Sequence, residues 1–166
     1  AAAAKDESRA VRLATLLAYR RLAAAEIATF LGDADPFLVG EAARAINDVP
    51  IPAAMPGLAA FVNEPRPDAM LMLRAINATF RAGTQDSARA LAAFAVRSDV
   101  EAGLRQEALT QLALWASPPQ RDRIVGVFRP FTEAKHDAAH AAAALEQALP
   151  QLLASETPDS VQAAAF

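Results

Sequence analysis

No cysteine occurs among the 166 residues, which excludes disulfides, thiolate metal sites and thiol catalysis from this chain. Aromatic residues are scarce at 6%, and this argues against a β-sandwich rich in valine and aromatics. The 6 glycines form no phosphate-binding loop pattern, and no serine sits in a nucleophile elbow or beside a spaced His/Asp set; hydrolase and nucleotide chemistry therefore have no support. No apolar run approaches the roughly 20 residues needed to cross a bilayer, and the opening AAAAKDESRAV has neither the basic start nor the apolar centre of a signal peptide. The expectation is a soluble stretch of chain with no membrane insertion. Positive charge is also in deficit: the net charge is −3, so no overall field attracts nucleic acid or an anionic membrane, and neither is expected as a partner.

What the chain has in abundance is alanine, 44 residues of it, within a composition that is 54% hydrophobic yet has a mean hydropathy of only +0.15. Alanine is the best helix former and lets helices approach closely, so the composition predicts an all-α protein in one domain spanning 1–166. Turn signals recur at Gly32–Pro36, Asp48–Pro52, Pro65–Asp68, Gly83-Thr84, Ser98-Asp99 and Ser117–Pro119. They divide the chain into helices expected over 7–22, 23–31, 36–47, 53–63, 68–82, 85–97, 100–116 and 133–149, followed by a short pair. Asp35 before Pro36 reads as an N-cap with proline at the first helical position, where its missing N–H costs nothing, and Gly32 and Gly83 read as C-terminal residues of the preceding helices. Within these segments the apolar spacing is helical, with Met72, Leu73, Ile76 and Phe80 on one face and Leu104, Ala108, Leu109, Leu112 and Ala116 on another.

Self-similarity appears on top of this pattern. Arg44-Ala45-Ile46-Asn47 returns thirty residues later as Arg74-Ala75-Ile76-Asn77, and Glu41-Ala42 is echoed by Glu107-Ala108. Helix pairs repeating every roughly 30 to 45 residues, each unable to bury its apolar face alone, predict an α-solenoid; a single closed bundle is the competing arrangement. The equivalent Ile46 and Ile76 should then both be buried between successive pairs.

Residues 117–132 break the rhythm. SPPQRDRIVGVFRPFT is too long for a repeat connection and too apolar for a linker, so an ordered non-repeat insertion is expected. In one reading Arg121, Asp122 and Arg123 bridge the carbonyl ends of neighbouring helices while Ile124, Val127, Phe128 and Phe131 cover the core together with Trp115. In the other, Arg121, Arg123, Phe128, Arg129 and Phe131 form an Arg and aromatic surface that grips a carboxylate or a partner domain.

Catalytic and metal chemistry are weakly encoded. His136 and His140 stand four apart, the spacing by which two imidazoles on one helix face reach a zinc ion, with Asp137 where zincins carry a glutamate base. A third ligand is missing at any recognisable spacing, and no metal or other cofactor is expected. Glu41, Glu107, Asp122 and Glu133 are the carboxylates nearest apolar contexts, and each is expected to cap a helix or pair with arginine rather than to act as a general acid or base. No catalysis is expected within this chain.

The segment Ile27–Pro36 resembles the HEAT-repeat turn, in which a helix ends in leucines and an Asp-x-Asp-Pro corner launches the next; Val39-Gly40 stands where such repeats commonly have Val-Arg. EAARAINDVPI at 41–51, LRAINATFRAG at 73–83 and Trp115–Pro119 leading into RDRIVGVFRP are more specifically similar to the HEAT region of modular membrane-bound dehydrogenase-like proteins. That resemblance covers about residues 11–155. It implies a solenoid placed between a sorbosone-dehydrogenase-like β-propeller and a CxxCH haem domain in an exported, periplasmic protein, of which this chain would be a fragment carrying neither the dehydrogenase nor the haem site. The expected function is a non-catalytic scaffold with protein partners. The alternative is a ligand-binding or DNA-glycosylase-type HEAT protein with a concave groove, which Arg44, Arg74, Arg81 and Arg105 on one face would favour and their dispersal would disfavour.

Overall fold

The computed structural model describes residues 2–131, 136–154 and 156–165, and among them the regular structure is helical, apart from an isolated antiparallel bridge between Arg121 and Phe128. After a 3-10 turn at Ala2–Lys5 the chain runs through α1 (Arg9–Arg21), a 3-10 segment at Ala25–Gly32, α2 (Pro36–Asp48), α3 (Met55–Ala59), α4 (Ala69–Ala82), α5 (Gln85–Ala95), α6 (Ala102–Ala113), α7 (Ala138–Leu152) and α8 (Asp159–Ala163).

Local chemistry sets the boundaries. The Asp35 carboxylate accepts from Phe37 N at 3.0 Å with Pro36 in the first turn, and Asp68 accepts from Met70 N and Leu71 N to start α4. Thr84 and Ser87 form a reciprocal capping box at α5. Gly83 ends α4 in the left-handed region at φ 65°, which a glycine enters without a Cβ penalty. The helix expected over 53–63 is instead α3 flanked by 3-10 turns at Pro52–Ala54 and Ala60–Val62, because Pro56 has no N–H to bond back to Pro52. The segment expected as a helix over 23–31 is instead a 3-10 helix at Ala25–Gly32, preceded by a turn.

The helices touch in two successions. Along one row α1 meets α2, α2 meets α4, α4 meets α6, and α6 meets α8; along the other the 25–32 segment meets α3, the 60–62 turn after α3 meets α5, and α5 meets α7. Ile46 and Ile76 are both fully buried in this arrangement. The expectation that each helix buries one face fails for α4. Leu71, Met72 and every residue from Arg74 to Phe80 are buried, because α4 is packed by α2, α3, α5 and α6 on different sides. The main N-terminal stretch of α7 also differs: Asp137 caps a helix that begins at Ala138, since its side chain accepts from Ala139 N at 2.9 Å, so the expected start at 133 is displaced. Glu133 and Thr132 lie outside the described residues.

Candidate functional site

The two Arg-Ala-Ile-Asn tetrapeptides place their asparagines side by side at the C-terminal half of α2 and in the middle of α4. Asn77 Nδ2 donates to Asn47 Oδ1 at 2.9 Å and to Asp122 Oδ2 at 3.0 Å, with all three residues buried. Asn47 in turn donates to Asp48 Oδ1, and Asp48 receives a two-point bond from Arg74 at 2.9 and 2.8 Å. Asp48 is therefore held below the ordinary carboxylate range: burial is the largest single influence and opposes this, but the hydrogen bonds from Arg74 and Asn47, with the charges of Arg74 and Arg44, outweigh it.

Asp122 is the point at which the insertion joins this network. Its Oδ1 accepts from Ile124 N and Val125 N, its backbone N–H donates to Val127 O, and Gly126 N donates back to Asp122 O. Gly126 adopts φ 70°, the left-handed turn position that closes the hairpin, and Arg129 N donates to Gln120 O across its base. Residues 120–129 thus form a short hairpin pinned to α4 through a buried carboxylate. A buried charge needs partners, and the Asp122 Oδ2 atom has Arg129 Nη1 at 3.0 Å and Arg81 Nη1 at 3.8 Å.

The arginines of the insertion divide their roles. Arg129 Nη1 also donates to Asn47 O at 2.6 Å, satisfying a carbonyl in the last turn of α2 as expected of a helix-end brace. Arg123 instead bonds both Glu107 oxygens, at 2.9 and 2.8 Å, and Arg121 donates within the hairpin to Gly126 O. The apolar residues divide as well. Phe131 is half-buried in a ring cluster with Phe80, Trp115 and His136, at centroid separations from 4.7 to 5.6 Å. Phe128 is 66% exposed and Val127 49%, so these two do not seal the core: the inward position of the hairpin is taken by the Asp122 carboxylate, and the short bridge holds Phe128 opposite the exposed Arg121.

Beside the hairpin runs a groove of about 740 Å³. Pro50, Pro52 and Pro56 lie along one side, Ala78, Ala82 and Ala90 belong to α4 and α5, and Arg81, Arg129 and Phe131 enter its wall. The Arg81 guanidinium stacks 4.1 Å from the Phe131 ring centroid and donates from Nη2 to Arg129 O. Burial, and then the neighbouring charge of Arg129, lower the Arg81 pKa to about 10 against a partial offset from Asp122.

The four arginines proposed to line one concave face do not share one: Arg44 and Arg74 line a smaller separate pocket with Glu41 and Asp68, while Arg81 and Arg105 lie elsewhere. Arg44 pairs with Glu41 at the surface, Arg74 is committed to Asp48, Arg105 is buried with its Nε donating to Ala95 O at the end of α5, and Arg81 alone reaches the groove. The premise of a two-histidine helix face also fails, since His136 precedes the cap of α7 and its Nε2–H donates to Phe80 O at 2.7 Å. The residues that sequence reasoning missed are Asn47 and Asn77 as a buried polar pair; the repeated asparagine was the available signal. No protein-family profile, curated protein or solved structure matches this chain.

Proposed function

We propose that this chain is a non-catalytic α-solenoid scaffold of HEAT-like helix pairs that docks another protein domain through the hairpin at 120–129. The observation that carries the reading is Phe128, a large apolar side chain 66% exposed on a hairpin that a buried Asp122 holds in place. A rigidly presented, solvent-facing aromatic is a costly arrangement for an isolated surface and a productive one for an interface anchor. The solenoid part of the reading is supported by the two successions of helix contacts and by the buried, equivalent Ile46 and Ile76. The similarity of 41–51, 73–83 and 115–130 to the HEAT region of modular dehydrogenase-like proteins supplies the partner class: a propeller or haem domain of the same exported protein.

The test is a photoreactive p-benzoylphenylalanine in place of Phe128 in the natural protein, read by mass spectrometry. Crosslinks to another domain or chain are expected; crosslinks confined to residues flanking the hairpin would sink the proposal. A second reading, a ligand-binding solenoid, is favoured by one observation, the entry of Arg81, Arg129 and Phe131 into a single apolar groove. The pairing of Arg44 with Glu41 and of Arg74 with Asp48, and the burial of Arg105 on a backbone carbonyl, support either of these over a DNA-glycosylase-type protein, which needs a continuous basic surface.

A further inference from the structure

Charge in the polar core does not balance at the groove. Asp48 acts on Arg129 but is already bound at two points by Arg74, and Asp86 of the groove is paired with Arg89, so among the described residues Arg81 and Arg129 have Asp122 alone between them, and one positive charge is left over. Both guanidiniums are largely buried, with side-chain exposures of 14% and 12%, and in such surroundings a charge interacts more strongly with an incoming anion than it would in water. Arg81 makes one hydrogen bond among the described residues, from Nη2 to Arg129 O, which leaves Nε and Nη1 without an acceptor at hydrogen-bond distance. These donors belong to a residue that lines the groove.

The rest of the groove is mostly apolar, with Asn63 also in its lining. Four prolines and five alanines line it, and its volume of about 740 Å³ falls within the roughly 300–1,000 Å³ typical of small-molecule sites. Its two hydroxyl residues are committed elsewhere: Thr79 Oγ1 donates to Ala75 O, and Ser87 Oγ donates to Thr84 O. Asp86, also on the groove, disfavours a ligand with more than one negative charge.

We propose that this groove binds a monocarboxylic acid with an apolar chain, its carboxylate on the free donors of Arg81 and beside Arg129, its hydrocarbon along the proline and alanine walls. A single carboxylate matches the single surplus charge and the planar fork of a guanidinium, whereas a phosphate dianion would exceed that charge. The proposal rests on the ligand-binding reading of the groove and is independent of hairpin docking, so Phe128→Ala, which ablates the docking anchor, is expected to leave it untouched.

The experiment is calorimetric titration of the full chain with octanoate and, separately, with octanamide, which keeps the hydrocarbon and removes the charge. Octanoate is expected to bind one-to-one and octanamide about tenfold or more weakly; Arg81→Gln should remove that preference and Arg81→Lys should retain part of it. Ala82→Trp fills the groove from an exposed position with both arginines intact, and should abolish binding without moving the thermal midpoint. Octanoate binding indifferent to both Arg81→Gln and Ala82→Trp would overturn the proposal. So would a wild-type chain that does not bind octanoate. Binding of the acidic peptide acetyl-Leu-Pro-Glu-Leu-amide in the absence of any octanoate binding would assign the groove to a polypeptide and equally overturn it.

Discussion

Asn77 donates a 2.9 Å hydrogen bond to Asn47, thirty residues earlier, and the two are the closing residues of the same tetrapeptide in α2 and α4. Equivalent positions in the sequence are therefore bonded neighbours in space. This contact also feeds the network that fixes the hairpin, because the same Asn77 amide reaches Asp122.

Removing that amide should be costly. Asn77→Ala leaves Asn47 Oδ1 without its donor and takes one of the hydrogen bonds from Asp122 Oδ2, and a buried acceptor left short costs about 1–3 kcal/mol. A loss of about 2–4 kcal/mol is expected from the denaturant midpoint at unchanged slope. Asn77→Asp should be worse, since it places a second carboxylate at hydrogen-bond distance from Asp122.

Phe80 of α4, which packs against the insertion, and Phe128 within it are expected to part company. Phe80 is 1% exposed and touches Trp115, Phe131 and His136, so Phe80→Ala should cost about 3–5 kcal/mol. Phe128→Ala removes a side chain that is mostly in water, and less than about 0.5 kcal/mol is expected. Thermal melts of the two variants side by side decide this; comparable losses would mean that Phe128 is a core residue.

Acid should act through Asp48. Its pKa in the folded chain lies below the ordinary value of 3.8, so the unfolded chain binds a proton more readily and the contribution of Asp48 is fully present above that value. It is lost as pH falls below about 4 and through the lowered folded pKa. Asp48→Asn should lower stability at neutral pH, where it removes the charged partner of Arg74, and flatten the acid limb of stability against pH. An acid limb of unchanged steepness would contradict this assignment.

Ala23 offers a stabilising change. It sits at φ 49° just past α1, where Ala24 N bonds to Tyr19 O and Ala23 N to Arg20 O in a Schellman termination that is ordinarily built with glycine. Ala23→Gly relieves the left-handed Cβ penalty at an exposed position and should raise stability by about 0.5–1 kcal/mol, measured by thermal melt.

The sequence by itself determined where most helices begin and end. Asp35-Pro36, Asp68, Thr84 and Gly83 act through bonds and dihedrals that reach only two or three residues along the chain, so their consequences were legible without a fold. The repeated tetrapeptide likewise marked the equivalent Ile46 and Ile76 as buried, and both are. Tertiary structure alone decided the rest. Whether a helix buries one face or nearly all of its circumference depends on how many neighbours surround it, and α4 has four; nothing in its own period encodes them. The insertion depended in the same way on distant chain. Asp122 is bonded by Asn77 from 45 residues away, and Arg129 reaches Asn47 O across 82, so the carboxylate went inward and Phe128 outward for reasons no local window contains. Short-range chemistry placed the helices, and long-range desolvation of one charge placed the hairpin.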